Sequence, residues 1–343
     1  MNFTFSDEQR MFAEAAQTVL AETCEPLRLR RMLNDTAPFD AERWAAIVET
    51  GLTQVLLPEA CGGLGLGALE FVLIAEAAGR NLLPEQLVES AGVAAPLLAV
   101  VSPASGYLTD QGARIAIGHP INPLVADADV ADAILLHHEG ATHLVKPSQV
   151  TLTRRASVDP LRRLFAVEWS PARSSQIAGD VRLWADALER GALFSAAQGL
   201  GLAQRAVDLA VAYASERQQF GKPIGSYQAV KHLLASAQVK IEFARPVLHA
   251  AAASFEARDV FSRARISQAK IACLEAADLA ARASLQVHGA MGYSYEVDVH
   301  LVLKRALGLT FTWGDPAFHR ARVAERVFGH ANGPDQTFAT EIA

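Results

Sequence analysis

Glu216-Arg217-Gln218-Gln219-Phe220-Gly221-Lys222-Pro223-Ile224-Gly225-Ser226-Tyr227-Gln228 separates two long segments with the period of an α-helix. Apolar residues recur at three- and four-residue steps from Leu193 to Ala214 before this stretch, and again from Val230 to Phe255 after it. Each segment therefore predicts a long amphipathic helix. The quoted stretch is where one helix ends and the next begins.

The residue types of this stretch predict a rigid corner. Gly221 can take the left-handed conformation, Pro223 cannot continue a helix, and Ser226 can cap the helix that follows. Arg217 at such a corner suits a phosphate or pyrophosphate, and Gln228 supplies uncharged hydrogen bonds nearby. The alternative is an arginine that only offsets the helix dipole.

The pattern Arg217-x-x-Phe220-Gly221-Lys222-Pro223, followed by Gln228, resembles the signature of the acyl-CoA dehydrogenase family. The preceding Gly201–Asp208 and Tyr213-Ala214 resemble the helix that leads into it. These flavoproteins make a double bond beside a CoA thioester carbonyl. The resemblance implies that the corner binds the FAD of the neighbouring subunit. The residues so implied are Arg217, Gln219, Phe220, Tyr227 and Gln228.

A second motif, Gln286-Val287-His288-Gly289-Ala290-Met291-Gly292-Tyr293, closes a third predicted helix. Glycines let backbone approach a ligand closely, and amides of such a turn can face an anion. It resembles the family's second FAD segment, which implies a role for Gln286, Gly289 and Ala290. Ala290 stands where glycine is usual, at a cost of about 1 kcal/mol if the position needs a positive φ. The alternative is a glycine cap with Tyr293 packed on the bundle.

Composition limits the class of protein. The chain has 343 residues, of which 51% are hydrophobic and 7% aromatic, and this mix favours helical bundles. A net charge of -6 argues against nucleic acid as a partner. The dispersed Cys24, Cys61 and Cys273 indicate a reducing compartment without a metal cluster. No bilayer-spanning run or export signal is present, so we expect a cytoplasmic protein.

Three parts are expected along the chain. Residues 1–104 read as a helical domain that opens with a capping box at Ser6 and Gln9, and residues 181–343 as a four-helix bundle ending in a loose tail from Gly333 to Ala343. Over residues 105–180, apolar and polar residues alternate with period two, which predicts five strands of a small antiparallel sheet or barrel. Three histidines lie in this part without carboxylates around them, so a core or surface role is favoured over metal: His137, His138 and His143.

The resemblance implies a middle β-barrel, but the family's two flavin and substrate motifs of that barrel are missing here. Pro246 lies inside the second long helical pattern and predicts a kink or a break there. The first long helix is predicted at about 30 residues, or about 45 Å.

The catalytic base is not evident. Abstraction of the α-proton calls for a carboxylate in a dry pocket. Counting from Gln286 places the family's usual glutamate on Trp313, and counting back from Arg217 places that of a second branch on Gly191. Glu189 should point to the opposite side of its helix from Gly191 and is interpreted as a solvated charge.

Asp315 is the remaining candidate base, although it requires a loop displaced by two residues. It can equally cap a helix that begins near Pro316, with His319 and Arg320 in the exposed turns of that helix. Both interpretations stay open.

The function favoured by the resemblance is FAD-dependent α,β-dehydrogenation of an acyl-CoA. The missing acids favour a short bacterial form, similar to the non-catalytic subunit of heteromeric enzymes that act on bulky CoA esters. Its expected partners are a second acyl-CoA dehydrogenase-type chain in a homo- or hetero-oligomer and an electron-accepting flavoprotein. The alternatives are a flavin-free scaffold and a self-sufficient oxidase or dehydrogenase that uses Asp315 as its base.

Overall fold

Helices lie on both sides of a β region in the computed structural model, which describes residues 5–34 and 39–330. The predicted tail from Gly333 to Ala343 lies outside the described residues. The N-terminal helices are α1 (Asp7–Thr23), α2 (Pro26–Asn34), α3 (Ala41–Glu49), α4 (Ala68–Arg80), α5 (Leu87–Glu89), α6 (Ala95–Val101) and α7 (Gly106–Thr109).

A local signal accounts for the start of α1. Ser6 and Gln9 form the predicted capping box of α1, each side chain bonding the other residue's backbone N–H. A π-helical segment, Ser90–Ala94, separates α5 from α6. The short helices α2 and α7 were not predicted.

Within residues 5–34 and 39–330, nine strands follow or interrupt the helices. They are β1 (Ile115–Gly118), β2 (Val125–Ala126), β3 (Ala133–His138), β4 (Ala141–Val145), β5 (Thr151–Arg155), β6 (Leu164–Glu168), β7 (Gln176–Ala178), β8 (Gln218–Gln219) and β9 (Lys222–Pro223). All five predicted strands are present as β1, β3, β4, β5 and β6.

The prediction of a barrel is wrong for the part of the chain that is described. Strands β1 to β7 form two separate sheets, one in the order β1-β3-β4-β7 and one in the order β2-β6-β5. Strand β1 pairs with β3 in parallel, whereas the other pairs are antiparallel. The two sheets share a small apolar core that includes Ile134, Leu136 and Phe165.

The C-terminal helices pack as a bundle around its third member. They are α8 (Val181–Glu216), α9 (Gln228–Ala253), α10 (Val260–His288), α11 (Val299–Phe311) and α12 (Pro316–Gly329). Helix α8 has 36 residues and is about 54 Å long, somewhat more than predicted. Pro246 does not split α9, which is continuous around it, and its exposed position leaves the buried face of the helix intact. A fifth helix extends the predicted four-helix bundle.

A buried ion pair ties the loop between β5 and β6 to the bundle. Arg305 on α11 bonds the carboxylate of Asp159 and donates from Nη1 to the backbone oxygen of Leu83 at 2.9 Å. Both charged side chains are almost fully buried. Each charge therefore depends on the other, since an isolated buried charge is strongly unfavourable.

Arg305→Met should lower the free energy of unfolding by about 3 to 5 kcal/mol, because it leaves the Asp159 carboxylate buried without its partner. Urea denaturation of the variant measures this loss. The control is the double variant Asp159→Asn, Arg305→Met, which buries no charge and should lose less than the single variant. A double variant at least as unstable as Arg305→Met would contradict the assignment.

Candidate functional site

The first corner is a two-stranded hairpin. Helix α8 ends at Arg217, and strands β8 and β9 pair across a turn in which Phe220 and Gly221 have φ of 53° and 79°. Two positive φ values in succession are typical of a tight hairpin turn, so Gly221 takes its left-handed conformation there and not as a helix cap. The Tyr227 hydroxyl donates to the backbone oxygen of Gln219 at 3.1 Å and braces the hairpin.

The hairpin presents its motif residues outward. Phe220 is 92% exposed, and Gln219 and Gln228 are exposed as well. The Arg217 side chain makes no hydrogen bond or ion pair with any other residue in the described ranges. Its guanidinium therefore does not bond the last carbonyls of α8. The prediction that Ser226 caps the next helix is wrong, because its hydroxyl donates to the Pro223 oxygen and α9 begins without a side-chain cap.

The second corner ends α10. Gly289 has φ of 59°, whereas Ala290 does not have a positive φ, so the alanine at this place is unstrained. Gln286, Gly289 and Ala290 are exposed. Tyr293 is 78% exposed, which argues against the interpretation that it packs on the bundle.

The two corners lie side by side at one end of the bundle. Tyr213, in the last turns of α8, stacks on His288 at the end of α10 with ring centroids 4.3 Å apart. Val287 joins Ala210, Ala214 and Leu234 in a small buried cluster beneath them. Residues far apart in sequence thus form one exposed surface, which we call the corner surface: Arg217, Gln219, Phe220, Gln228, Gln286, Gly289 and Ala290.

Gly191 and Trp313, the two positions predicted for a catalytic base, are in contact at the N-terminal half of α8. A Cβ placed on Gly191 would lie 2.1 Å from Cδ2 of Trp313, so the indole lies directly on the glycine. Trp313 is 2% exposed, and its backbone N–H donates to Oδ1 of Asn122 at 2.8 Å. An aromatic ring therefore fills the place that a carboxylate from either position would need.

The remaining acids at this end have structural partners. The interpretation of Glu189 as a solvated charge is wrong: it is 8% exposed and forms an ion pair with Arg322 of α12. Burial raises the pKa of this carboxyl, while the neighbouring guanidinium opposes that shift. Asp315 is exposed and caps α12, accepting from the N–H of Phe318 at 2.8 Å. The prediction that His319 is exposed is wrong, because it is fully buried.

A pocket of about 220 Å³ lies beside Trp313, between the β region and the bundle. Arg162 pairs with Glu89 at 3.2 Å in its wall and donates to the Thr312 hydroxyl at 3.0 Å. The lining residues are Gln86, Glu89, Ile117, Asn122, Pro123, Leu124, Ala126, Ala156, Ser157, Val158, Arg162, Leu164, Gly308, Phe311, Thr312 and Trp313. Sequence analysis missed the polar members, which come from four separate segments and form no local motif.

Two buried histidines hold the tryptophan. Nε2 of His319 lies 3.0 Å from the Trp313 backbone oxygen, and its Nδ1 lies 3.1 Å from the Ser267 hydroxyl. Burial lowers the pKa of His319 to about 4, and the nearby charge of Lys270 adds to the effect. His119, whose ring lies 5.4 Å from that of Trp313, has its pKa lowered to about 4, also chiefly by burial. Both rings are neutral at neutral pH.

Among the described residues, no group of three or more His, Cys, Asp and Glu side chains is arranged to bind a metal ion. The helices described here include none of the length and apolarity that crossing a bilayer requires.

Gly191→Ala should lower the free energy of unfolding by about 1 to 3 kcal/mol, because the added methyl overlaps the Trp313 indole. Gly308→Ala is the matched control: it also lies in a helix, but its new Cβ would have no neighbour closer than 4.0 Å. That change should be neutral or stabilise the protein by up to about 1 kcal/mol. Equal effects of the two substitutions in urea denaturation would contradict the packing of the indole on Gly191.

Acid should destabilise the protein through His319. Its pKa is about 4 when folded and 6.5 ordinarily, so the unfolded chain binds more protons between these values. The free energy of unfolding should therefore fall as the pH falls from about 6.5 to about 4, and His319 should account for about 2 kcal/mol at pH 5. His319→Gln should flatten this dependence, whereas His138→Gln, on the exposed end of β3, should leave it unchanged. Denaturation midpoints across the pH range test this, and identical profiles for all three proteins would refute it.

Two family models match the chain. The model described as acyl-CoA dehydrogenase, N-terminal domain, matches residues 6–104, and the C-terminal domain model matches residues 181–328. Acyl-CoA dehydrogenase IpdE2 of Mycobacterium tuberculosis (strain ATCC 25618 / H37Rv) is 29% identical over 305 residues, which cover 88% of this chain and 92% of that protein. IpdE2 of Mycolicibacterium smegmatis (strain ATCC 700084 / mc(2)155) is 29% identical over 325 residues, 94% of this chain and 100% of that protein.

A solved structure shows the same fold. A chain of the ChsE4-ChsE5 complex from Mycobacterium tuberculosis superposes with a TM-score of 0.85 at 23% identity, over 97% of this chain and 100% of that chain. The resemblance stated from the two motifs is thereby confirmed. Both helical ends match the family models, and the chain belongs to the acyl-CoA dehydrogenase family, a family of flavoprotein oxidoreductases.

Proposed function

We propose that the chain is a subunit of a FAD-dependent acyl-CoA dehydrogenase and supplies FAD-binding residues beside a catalytic partner chain. The observation that carries the proposal is the contact of Trp313 with Gly191. Both positions at which the family places its base lack an acid, and one indole fills the space between them. This chain then depends on its partner for abstraction of the α-proton.

The corner surface fits the diphosphate of FAD. Arg217 has a guanidinium with no partner in the described residues, and the exposed turn at Gly289 lets a ligand approach the backbone closely. Gln219, Gln228 and Gln286 add exposed neutral hydrogen-bonding groups. Phe220, 92% exposed on the hairpin, offers an apolar face that a partner or a cofactor ring would cover.

The length of α8 places the contact of Gly191 with Trp313 far from the corner surface. Gly191 and Arg217 are 26 positions apart on one continuous helix, which places them about 39 Å apart. The corner surface is thus far from this chain's own Trp313. The base that serves a flavin bound there would come from the partner.

When bound, FAD would supply the acceptor for the hydride that leaves the β-carbon of the acyl group. In the proposed assembly, Arg217 and the exposed backbone of the second corner would hold the cofactor. The hairpin, braced by Tyr227, would keep Arg217 in place. The partner is a second acyl-CoA dehydrogenase-type chain, in keeping with a fold neighbour that was solved as a complex of two named proteins.

Further parts of the proposal follow from the family. Residues 1–104, 105–180 and 181–343 are taken as the three domains, in accord with family matches at 6–104 and 181–328. The electron acceptor is a second flavoprotein. Three buried free cysteines are compatible with the reducing cytoplasm: Cys24, Cys61 and Cys273.

The two alternatives have less support. A flavin-free scaffold would use Arg217 only to offset the helix dipole, yet its guanidinium does not bond the terminal carbonyls of α8. A self-sufficient enzyme would use Asp315, yet this carboxylate is engaged in capping α12 and does not line the pocket beside Trp313.

Arg217→Ala should abolish FAD retention in the assembled enzyme, because a charge-assisted contact to phosphate contributes about 1.5 to 3 kcal/mol. The chain is purified alone and with the product of an adjacent gene of the same family, and the visible flavin absorbance per protein is measured. Arg182→Ala is the matched control, since this exposed arginine lies at the opposite end of α8. We expect it to retain all flavin.

The outcomes separate the three functions. Colour only in the paired sample, lost in Arg217→Ala, supports the proposal. A chain that is yellow alone and bleached by an acyl-CoA identifies a self-sufficient enzyme. Flavin colour in the pair that persists in Arg217→Ala, or no colour in either sample, supports the flavin-free scaffold.

A further inference from the structure

Two histidines are neighbours on the hairpin of β3 and β4. The turn of this hairpin consists of Glu139 and Gly140, whose φ values are 47° and 82°. Two positive φ values are typical of the tightest hairpin turn, which fixes how the strands pair. His138 pairs with Ala141, and His143 lies two residues further along β4, on the same face of the sheet. The two imidazoles are therefore diagonal neighbours, with ring centroids 6.5 Å apart.

Hydrogen bonding leaves one nitrogen of the buried His143 free for a ligand. The Ser175 hydroxyl donates to the backbone oxygen of Ala172 at 2.8 Å, so it accepts from the Nδ1–H of His143 at 3.0 Å. Nε2 of His143 then carries no proton. It makes no hydrogen bond in the described residues, and it is not among the unpaired atoms that are sealed from solvent. Metal-binding histidines are oriented in the same way, by a hydrogen bond from their second nitrogen.

His138 offers the second imidazole from the solvent side. Its side chain is 46% exposed and has room to turn. Oε2 of Glu139 lies 3.8 Å from Nε2 of His138 and places a negative charge beside the pair. Trp169 covers both rings, with its centroid 5.0 Å from that of His143 and 6.2 Å from that of His138. The pair thus has an acidic neighbour, an aromatic wall and an open side.

The spacing of the rings suits a shared metal ion. Metal–nitrogen bonds of about 2.0 Å place two imidazoles on one ion with their centroids about 5 to 6 Å apart. A small rotation of the exposed His138 closes the remaining gap from 6.5 Å. Imidazole is a good ligand for zinc and copper, and among the divalent ions of the first transition series Cu(II) binds most tightly. Burial lowers the pKa of His143, which keeps this ring in the neutral form that binds metal.

We propose that His138 and His143 form a binding site for a divalent transition-metal ion that prefers imidazole, Cu(II) more tightly than Zn(II), with water in the remaining positions. The site has two protein ligands, whereas the described residues hold no group of three. The interpretation from sequence, a core or surface role, stands for His137, which faces the other side of the sheet and packs on Trp184 at 5.2 Å. The inference needs neither FAD nor a partner and does not rest on the proposed function.

The test adds Cu(II)-iminodiacetate to the full chain and records pulsed EPR spectra. Iminodiacetate occupies three positions of the ion, which favours a site with two imidazoles over any single histidine. We expect one ion per chain, with spin-echo modulation from two imidazoles, and displacement of this ion by excess Zn(II). Bound Cu(II) should also quench the fluorescence of Trp169, and Trp169→Phe should remove that part of the quenching.

Four variants locate the site. His138→Gln, at a half-exposed position, and His143→Gln should each weaken binding at least about tenfold, because one of two ligands is lost. Ser175→Ala, which releases Nδ1 of His143, should weaken binding by about tenfold while the spectrum still shows two imidazoles. His137→Gln is the matched control and should bind like the parent protein. The inference is overturned if the spectrum shows one imidazole or none, if His138→Gln binds like the parent, or if His137→Gln loses as much affinity as His138→Gln.

Discussion

The structure depends on how closely α4 approaches α8. A Cβ on Gly79 would lie 2.0 Å from the backbone oxygen of Gln198, and a Cβ on Gly201 would lie 1.9 Å from that of Glu76. Each helix has a glycine where the other's backbone passes, so no larger residue fits at either place. This reciprocal contact fixes the N-terminal helices on α8 and with them the rotation of α8 about its axis. The positions of Gly191 and Arg217 follow from it.

The two ends of α8 then differ in what they offer. Near its start, Gly191 is covered by an indole, and the adjoining acid, Glu189, is paired with Arg322. At its end, Arg217 is unpaired in the described structure and stands on an exposed hairpin. One rigid helix thus joins the closed contact of Gly191 with Trp313 to an open cationic corner. In an assembly of two different chains, this asymmetry would let one chain complete the cofactor site of the other without a complete site of its own.

Sequence alone predicted the features that depend on local spacing. The long helices, the capping box at Ser6 and the turn at Gly221 follow from periodicity and residue type. Glu189 and His319 were misinterpreted as exposed because their burial arises where α12 packs on the bundle, which no local pattern records. The contact of Gly191 with Trp313 joins positions far apart in the chain. Strands β2 and β7, with two and three residues, are too short for a period-two signal.

The backbone at Trp313 is held in a strained conformation by its surroundings. Its φ is 60°, a region that costs a bulky residue about 1 to 3 kcal/mol and persists only where the surroundings enforce it. Here Asn122 accepts from the backbone N–H of Trp313, His319 bonds its backbone oxygen, and its ring packs on Gly191. A glutamate placed at this position alone would inherit a backbone fixed for an indole, and the Arg162 guanidinium in the adjoining pocket wall is already paired with Glu89. The polar groups that this helix leaves open to a ligand lie at its opposite end, around Arg217.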